Sequence, residues 1–268
     1  MQSVFDVARH CISNCDPVDK CKLTHQLVSD WNNQLLSHDS EEEAETIGVP
    51  GRPEKPLLVH PRDVPRRSVH TEQGRIVLAH ALAHIEFNAI NLALDAVYRF
   101  RSMPRDYYTD WLKVADEEAR HFKLLTDYME ERGASYGDYF AHDGLWEMAV
   151  KTADDVLIRM ALVPRVLEAR GLDVTPGLIQ KLIAAGDIDF SDRLKIIHSD
   201  EIGHVAIGSR WFRYECEQRG LDTRHTFTTL LNEYMNGPLK GPFDDVTRLQ
   251  AGFTEEELAD LRDKNDHK

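Results

Sequence analysis

Apolar residues recur at helical spacing along most of this chain, and no stretch sustains the apolar–polar alternation of a surface strand. Four long stretches carry the helical pattern. Glycines of the kind that favour helix C-termini follow three of them, at Gly133, Gly171 and Gly220. The pattern predicts an all-α fold built around four long helices, over residues 71–100, 105–131, 146–170 and 189–219.

A proline marks the third of these predicted helices. Pro164 lies inside it, four residues before Glu168, and predicts a kink at that point. We expect this helix to end at Gly171, and we expect a separate short helix to follow Pro176.

The chain before residue 71 predicts two short helices and an extended arm. Asp16 followed by Pro17 is typical of a helix start, with a capping side chain and a proline at the first helical position. Residues 39–46 are acidic, and we expect them to be mobile. Residues 47–70 hold five prolines, which exclude a helix, so we expect an arm that lies on the bundle. Its basic residues would pair with acidic surface or, alternatively, grip an anionic substrate or partner.

The C-terminal residues predict a helical extension. One helix is expected near 223–235, followed by a segment rich in proline and glycine at 237–242. A final helix should begin at a capping box formed by Thr254 and Glu257. We therefore predict one structural domain with three parts, which are the N-terminal helices and arm at 1–70, the four-helix bundle at 71–220 and the extension at 221–268.

Two Glu-x-x-His pairs are the candidate functional residues, and each stands in a predicted long helix. One glutamate precedes each pair, by 32 residues in the first half and by 33 in the second. Glu and His at positions i and i+3 share one face of a helix. The pattern therefore predicts one site with four carboxylates and two imidazoles, formed by Glu86, Glu118, His121, Glu168, Glu201 and His204.

The surroundings of these glutamates favour metal binding. They lie in apolar stripes, where an unpaired charge is costly. Taken singly, each could instead be a surface glutamate or the partner of an arginine, but the doubled pattern favours convergence. Four carboxylates at short range repel each other strongly, and two divalent cations would cancel their charge. Carboxylate and imidazole together suit iron or manganese, with zinc also compatible. His84 lies about 200° around the helix from Glu86 and is not expected to be a ligand.

Four further residues stand near the predicted site. Glu117 and Asp200 precede the two histidines by four residues, so each could accept a hydrogen bond from the ring nitrogen that holds no metal. A solvated helix face is the alternative for both. His198 is either a proton-transfer group or a core histidine. Gly203 either leaves room for oxygen or substrate beside the metals, or it allows close helix packing.

Composition restricts the partners and the compartment. A net charge of −14 argues against general nucleic-acid binding and against binding to anionic membranes. The chain shows no signal-peptide pattern and no run that approaches the ~18 apolar residues of a membrane span. Four cysteines fit no disulfide framework, so we expect reduced thiols in the cytoplasm. A further metal site at Cys11, Cys15 and Cys21 is an alternative.

Longer strings resemble a known family. The runs at 50–53, 78–95, 163–171, 241–243 and 251–253 resemble the ferritin-like family called domain of unknown function 455. The six predicted ligands match the di-metal carboxylate pattern of ferritin-like proteins. The resemblance covers nearly the whole chain. It implies a ferritin-like four-helix bundle with a metal centre, but it implies no particular reaction.

Three functions are compatible with such a site. The first is an oxidoreductase that activates dioxygen or peroxide at two iron ions, with manganese or a mixed manganese–iron pair as the alternative metals. It would require a small-molecule substrate and an electron donor, both unknown, and it would be a monomer or small homo-oligomer. The second is metal storage or handling, which we rank lower because the appended segments would obstruct a storage cage. The third is a structural or interaction protein that metals only stabilise.

Overall fold

The chain divides into two compact units, Met1–Val150 and Lys151–Lys268. The computed structural model describes residues 1–40, 42–64, 68–235, 237 and 239–266, without the side chains of 263–266. Both units are built from helices, which confirms the all-α prediction. The boundary at Val150 falls inside the predicted bundle, and the division into 1–70, 71–220 and 221–268 stays a prediction. Within the described ranges, strands are limited to a two-residue parallel pairing of Gln2–Ser3 with Leu36–Ser37.

The first unit is organised around one long helical hairpin. Helices α3 and α4 are joined by a connection of five residues and pack on each other, as expected for an antiparallel pair. Helix α1 packs on α3, and α2 packs on α4. The helices are α1 (Val4–Ser13), α2 (Pro17–Asn32), α3 (Glu72–Arg99), α4 (Arg105–Glu130) and α5 (Gly144–Lys151).

Helix starts in this unit carry the predicted capping chemistry. The Asp16 carboxylate accepts a hydrogen bond from the Asp19 amide at 2.9 Å and opens α2, as predicted. The Thr71 hydroxyl accepts from the Gly74 amide at 3.1 Å and opens α3. Gly133 follows α4 with a φ of 73°, which confirms the predicted end of that helix.

Helix α3 contains an apolar window longer than the sequence analysis expected. Its most apolar 18 residues have a mean hydropathy of 1.3, so by length and composition alone α3 could cross a membrane. However, 83% of that window is buried inside the protein. Burial of this extent is typical of the core helix of a globular protein.

The proline-rich arm is hydrogen-bonded to other parts of the first unit, and its packing on a four-helix bundle stays a prediction. The Gly51 amide donates to the Ile12 carbonyl at 2.8 Å, and the Val59 amide donates to the Ala141 carbonyl at 2.8 Å. Arg52 pairs with Asp143 at 3.0 Å, which is the expected contact with acidic surface. Pro65, Arg66 and Arg67 lie outside the described residues.

The acidic segment before the arm is attached at several points. Arg9 pairs with Glu45 at 2.5 Å, and Arg101 donates to the Glu42 carbonyl oxygen at 3.1 Å. The Glu45 amide donates a hydrogen bond to the Tyr98 hydroxyl at 2.9 Å. Mobility of residues 39–46 stays a prediction, and Glu41 lies outside the described residues.

The second unit is organised around the long helix α8. The segments before it pack along α8, and so does the helix after it. Its helices are α6 (Val156–Leu162), α7 (Ala169–Ala184), α8 (Ile188–Gln218), α9 (Thr223–Tyr234), α10 (Asp245–Gln250) and α11 (Glu255–Asp266). The bounds of α8 and α9 confirm the two predicted helices. The predicted capping box of α11 is confirmed too, because the Thr254 amide donates to Glu257 at 3.0 Å and the Glu257 amide donates to Thr254 at 3.2 Å. Helix α10 was not predicted.

The third predicted helix, 146–170, was wrong in both its continuity and its end. It is interrupted after Lys151, and α6 starts afresh where the Asp155 carboxylate accepts from the Leu157 amide at 2.8 Å. Pro164 is accommodated by a π-helical segment, Val163–Glu168, which leads directly into α7. The wider turn has no i−4 hydrogen bond for the proline to break.

Helix α7 also continues past the predicted stop. It runs through Gly171 and includes Pro176, so no separate short helix follows that proline. Gly171 does not adopt the positive φ that ends a helix, whereas Gly186, just beyond α7, does so with a φ of 80°. A glycine therefore ends this helix, but it is a later one.

A close approach in the second unit fixes the π-helical segment against α8. A Cβ atom added at Gly208 of α8 would collide with the ring of Pro164. At Gly203, one and a half turns earlier, no described atom lies within 4 Å of such a Cβ. The two glycines of one helix therefore have different roles.

Gly208→Ala should destabilise the metal-free protein, because its Cβ overpacks against Pro164. We expect a loss of about 1–3 kcal/mol in the free energy of unfolding. Gly203→Ala should stabilise it by up to ~1 kcal/mol, because alanine has the higher helix propensity and meets no neighbour. Urea unfolding of both variants measures the difference, and equal effects would contradict the packing of Gly208 on Pro164.

Candidate metal centre

The first unit gathers three of the predicted ligands on its central hairpin. Glu86 comes from α3, and Glu118 and His121 come from α4. The Nδ1 atom of His121 lies 3.3 Å from Glu118 Oε2 and 3.7 Å from Glu86 Oε2. One donor atom from each residue lies within 4.8 Å of the others, and all three residues are buried. We call these three residues the first half-site, and they form a buried cluster that could hold a metal ion.

Burial gives this cluster unusual proton affinity. Desolvation raises the pKa of Glu86 well above its ordinary value, and the nearby charge of Glu118 raises it further. Burial alone would favour the neutral imidazole of His121, but hydrogen bonds to Glu118 and Glu86 outweigh it and raise the pKa of the ring. Without a metal, the first half-site therefore holds protons that offset its negative charge.

The second unit repeats the Glu-x-x-His geometry on α8. The Nδ1 atom of His204 lies 3.2 Å from Glu201 Oε1, close to the 3.3 Å of the first pair. His204 is buried, and the Glu201 side chain is only 13% exposed. Glu168 is the last residue of the π-helical segment and is partly buried. We call these three residues the second half-site, and Glu168 remains a predicted member of it.

The donor atoms fit a hard or borderline divalent ion. Each half-site offers carboxylate oxygens and one imidazole nitrogen, which suit iron, manganese or zinc. In both pairs the Nδ1 atom faces the carboxylate. Nε2 is then left for a hydrogen bond with a neighbouring group.

The predicted supporting residues have mixed outcomes. The Oε1 atom of Glu117 lies 3.8 Å from Lys113 Nζ. The predicted hydrogen bonds of Glu117 with His121 and of Asp200 with His204 stay predictions. His198 is half-buried, and its Nδ1 atom makes no hydrogen bond within the part of the chain that the structure describes. Desolvation lowers the pKa of His198, so its imidazole is neutral near pH 7.

The open space at Gly203 bears on the two interpretations of this glycine. Close helix packing does not explain it, because no described neighbour reaches the position of a Cβ. Gly203 lies between Glu201 and His204 on α8. The Cβ position of Gly203 is therefore open, and a role of this glycine in access to the metals stays a prediction.

Helix α3 carries His84 on a different side, as predicted. Its Nδ1 atom lies 2.8 Å from the Tyr136 hydroxyl, and its Nε2 atom lies 3.2 Å from the His142 carbonyl oxygen. A cavity of about 60 Å³ adjoins this ring and is lined by His84, Ile85, Phe140 and their neighbours. His84 is thus engaged in the packing of the arm and loop and does not act as a ligand.

The cysteines do not extend the metal site. All four are free thiols, as expected, and burial raises the pKa of Cys11 and of Cys21 to about 11. Among the described residues, no cluster of candidate metal ligands includes a cysteine. The alternative of a third site at Cys11, Cys15 and Cys21 therefore gains no support.

Sequence reasoning missed one buried residue beside the second half-site. Arg165 precedes Glu168 by one turn and is fully buried, with an ion pair to Glu257 at 2.7 Å. A signal was present, because this arginine interrupts the apolar run of residues 160–167. A charge in such a run needs a partner, although the sequence could not say which acid supplies it.

Comparison with known proteins identifies relatives across both half-sites. The profile of the family described as "Protein of unknown function (DUF455)" matches residues 13–259. An "Uncharacterized protein" of Haemophilus influenzae is 46% identical over 257 residues, which cover 92% of this chain and 89% of that protein. No solved structure matches this chain. All six predicted ligands lie inside the matched region.

Metal binding to the first half-site should release protons. Metal needs the carboxylate and the neutral imidazole, whereas the raised pKa values of Glu86 and His121 keep protons on the metal-free cluster. Apparent affinity should therefore rise between about pH 6 and about pH 8. A pH indicator in weak buffer measures the release, and Glu86→Gln should release about one proton fewer. A metal affinity that does not change with pH, together with no release of protons, would contradict this electrostatic account.

Proposed function

The chain belongs to the DUF455 family, and we propose that its two half-sites together form one dinuclear metal centre in an oxidoreductase. The observation that carries the proposal is the repeated geometry of the Glu-x-x-His pairs. Each pair places its histidine Nδ1 about the same distance from its glutamate, at 3.3 Å and 3.2 Å. A ferritin-like four-helix bundle is the architecture in which such pairs share two ions.

Charge supports two ions in preference to one. Glu86 and Glu118 already bring two buried carboxylates together, and Glu168 and Glu201 would bring the number to four. A single divalent ion would leave two negative charges in a poorly solvated volume, whereas two ions neutralise all four. Two histidines and four carboxylates would supply at most about ten donor atoms, fewer than the roughly twelve positions of two octahedral coordination shells, so positions would remain open.

Iron is the metal that we propose, with manganese or a manganese–iron pair as alternatives. A reduced iron pair held by these residues would supply electrons to dioxygen or peroxide. The negative charge of Glu86, Glu118, Glu168 and Glu201 would favour the higher oxidation state of the metals. The two histidines are buried away from bulk water, and the route that we propose for oxygen or a small substrate runs past Gly203, which has no side chain.

The proposed partners are small. We propose an unidentified organic substrate and an external electron donor in the cytoplasm, with the protein as a monomer or small homo-oligomer. The net charge of −14 disfavours a nucleic-acid substrate.

Oxygen uptake tests the proposed function. Protein loaded anaerobically with ferrous ion should consume dioxygen faster than free ferrous ion when a reductant is present. Gly203→Leu should keep its metal but slow uptake by at least about tenfold, because the side chain obstructs approach to the pair. Glu118→Ala should lose both metal and uptake, because it removes a ligand. Gly203→Ala, which adds only one carbon, is the control for the leucine variant.

Other outcomes of the same experiment identify the alternatives. Uptake by the wild-type protein no faster than that of free ferrous ion would contradict the oxidoreductase and favour a structural metal site. Slow uptake that leaves many ferric ions per chain would favour storage. An oxidoreductase should retain about two ions per chain through repeated turnovers.

A further inference from the structure

The π-helical segment that carries Glu168 is held by the C-terminal part of the second unit. We propose that the Arg165–Glu257 ion pair is a positioning device that fixes this segment, and so sets the affinity of the metal ion that Glu168 binds. The inference deepens the proposed function and rests on it. It assigns to the C-terminal extension a role in the metal centre, although the extension contributes none of the six predicted ligands.

Arg165 is held by one ion pair and by three aromatic rings. Its Nη2 atom donates to Glu257 Oε1 at 2.7 Å, and both side chains are buried. Its Nε and Nη1 atoms make no hydrogen bond to any described residue. The guanidinium instead lies 4.2–4.8 Å from the centres of three aromatic rings, which belong to Phe212, Phe227 and Phe253. Attraction to these rings adds to the ion pair in holding the guanidinium in place.

Glu257 is equally constrained. While Oε1 accepts from Arg165, Oε2 accepts from the Thr254 amide at 3.0 Å and caps α11. A carboxylate held at both oxygens cannot follow a movement of Arg165 without uncapping the helix. The position of α11 is therefore transmitted to residue 165, three positions before Glu168.

Two further anchors follow Glu168 in the chain. Arg170 donates to the carbonyl oxygens of Lys240 and Pro242, at 2.8 and 3.1 Å. Asp173 accepts two hydrogen bonds from the buried Arg248, both at 2.8 Å. The extension thus holds the π-helical segment at residue 165 and the start of α7 at residues 170 and 173, on both sides of Glu168.

The π-helical geometry explains why anchoring matters for Glu168. A π turn contains about one residue more than an α turn, and such turns are rare and often found at functional sites. If the segment relaxed to an α-helix, residues on one side of it would shift by one position. Glu168 would then rotate by about 100° around the helix axis relative to the residues before the turn. A rotation of that size would turn its carboxylate away from any ion bound beside Glu201 and His204.

Cobalt binding to the full-length protein tests this inference, because the visible absorbance of Co²⁺ reports its ligands. Glu257→Gln keeps an acceptor oxygen but removes the charge that holds Arg165. The affinity for one of the two bound Co²⁺ ions should fall by about 10–100-fold. Its absorbance should change in the same direction as in Glu168→Gln. The matched control is Asp260→Asn, also on α11, which removes the charge paired with the exposed Arg224. Its affinity and spectrum should equal those of the wild-type protein.

A second variant keeps the inference testable if Glu257→Gln does not fold. Arg170→Met removes a partly exposed anchor that also pairs with the buried Asp173 at 3.7 Å, but Asp173 keeps its two hydrogen bonds from Arg248. This variant should weaken binding of the same metal ion. If the folded variants lower only the melting temperature and keep the wild-type spectrum and affinity, the ion pair is structural and the inference is wrong. If Glu168→Gln alone leaves binding of two ions unchanged, Glu168 is not a ligand and the inference also fails. A wild-type protein that binds no cobalt, manganese or ferrous ion would contradict the metal centre itself.

Discussion

Carboxylates buried a few ångströms apart are the constraint on which the rest of this structure depends. Glu86 and Glu118 lie beside His121 in the interior of the first unit, where water cannot screen their repulsion. Such a cluster persists only if protons or cations neutralise it. The antiparallel hairpin of α3 and α4 supplies the rigidity that holds these like charges together, and the account of function follows from how they are neutralised.

The sequence predicted the parts of the site that local chemistry determines. Apolar spacing and capping residues were sufficient to place α3, α4 and α8 within a residue or two, because these helices are long and have clear ends. The Glu-x-x-His pairs followed directly, since residues three apart on a helix share a face. The 3.3 Å and 3.2 Å distances show that each histidine lies beside the glutamate of its own helix, while convergence of all six ligands stays a prediction.

Long-range contacts determine the parts that the sequence did not predict. The bend at Pro164 was expected, but its π-helical form depends on the fit of the proline ring against Gly208, which is 44 residues away in the chain. Arg165 likewise finds its acid 92 residues later, at Glu257. No local propensity reports such a partner. The same limit applies to α7, which continues through Gly171 and Pro176 because its tertiary contacts with α8 and α10 favour a helix there.

Anomalous X-ray scattering from crystals of the metal-loaded protein tests the central claim most directly. Data collected on both sides of the metal absorption edge locate each ion independently of the protein coordinates. The account predicts two ions per chain about 3.5–4 Å apart, one nearest His121 and the other nearest His204. A single ion, or two ions separated by more than about 6 Å with no shared carboxylate, would contradict a dinuclear centre.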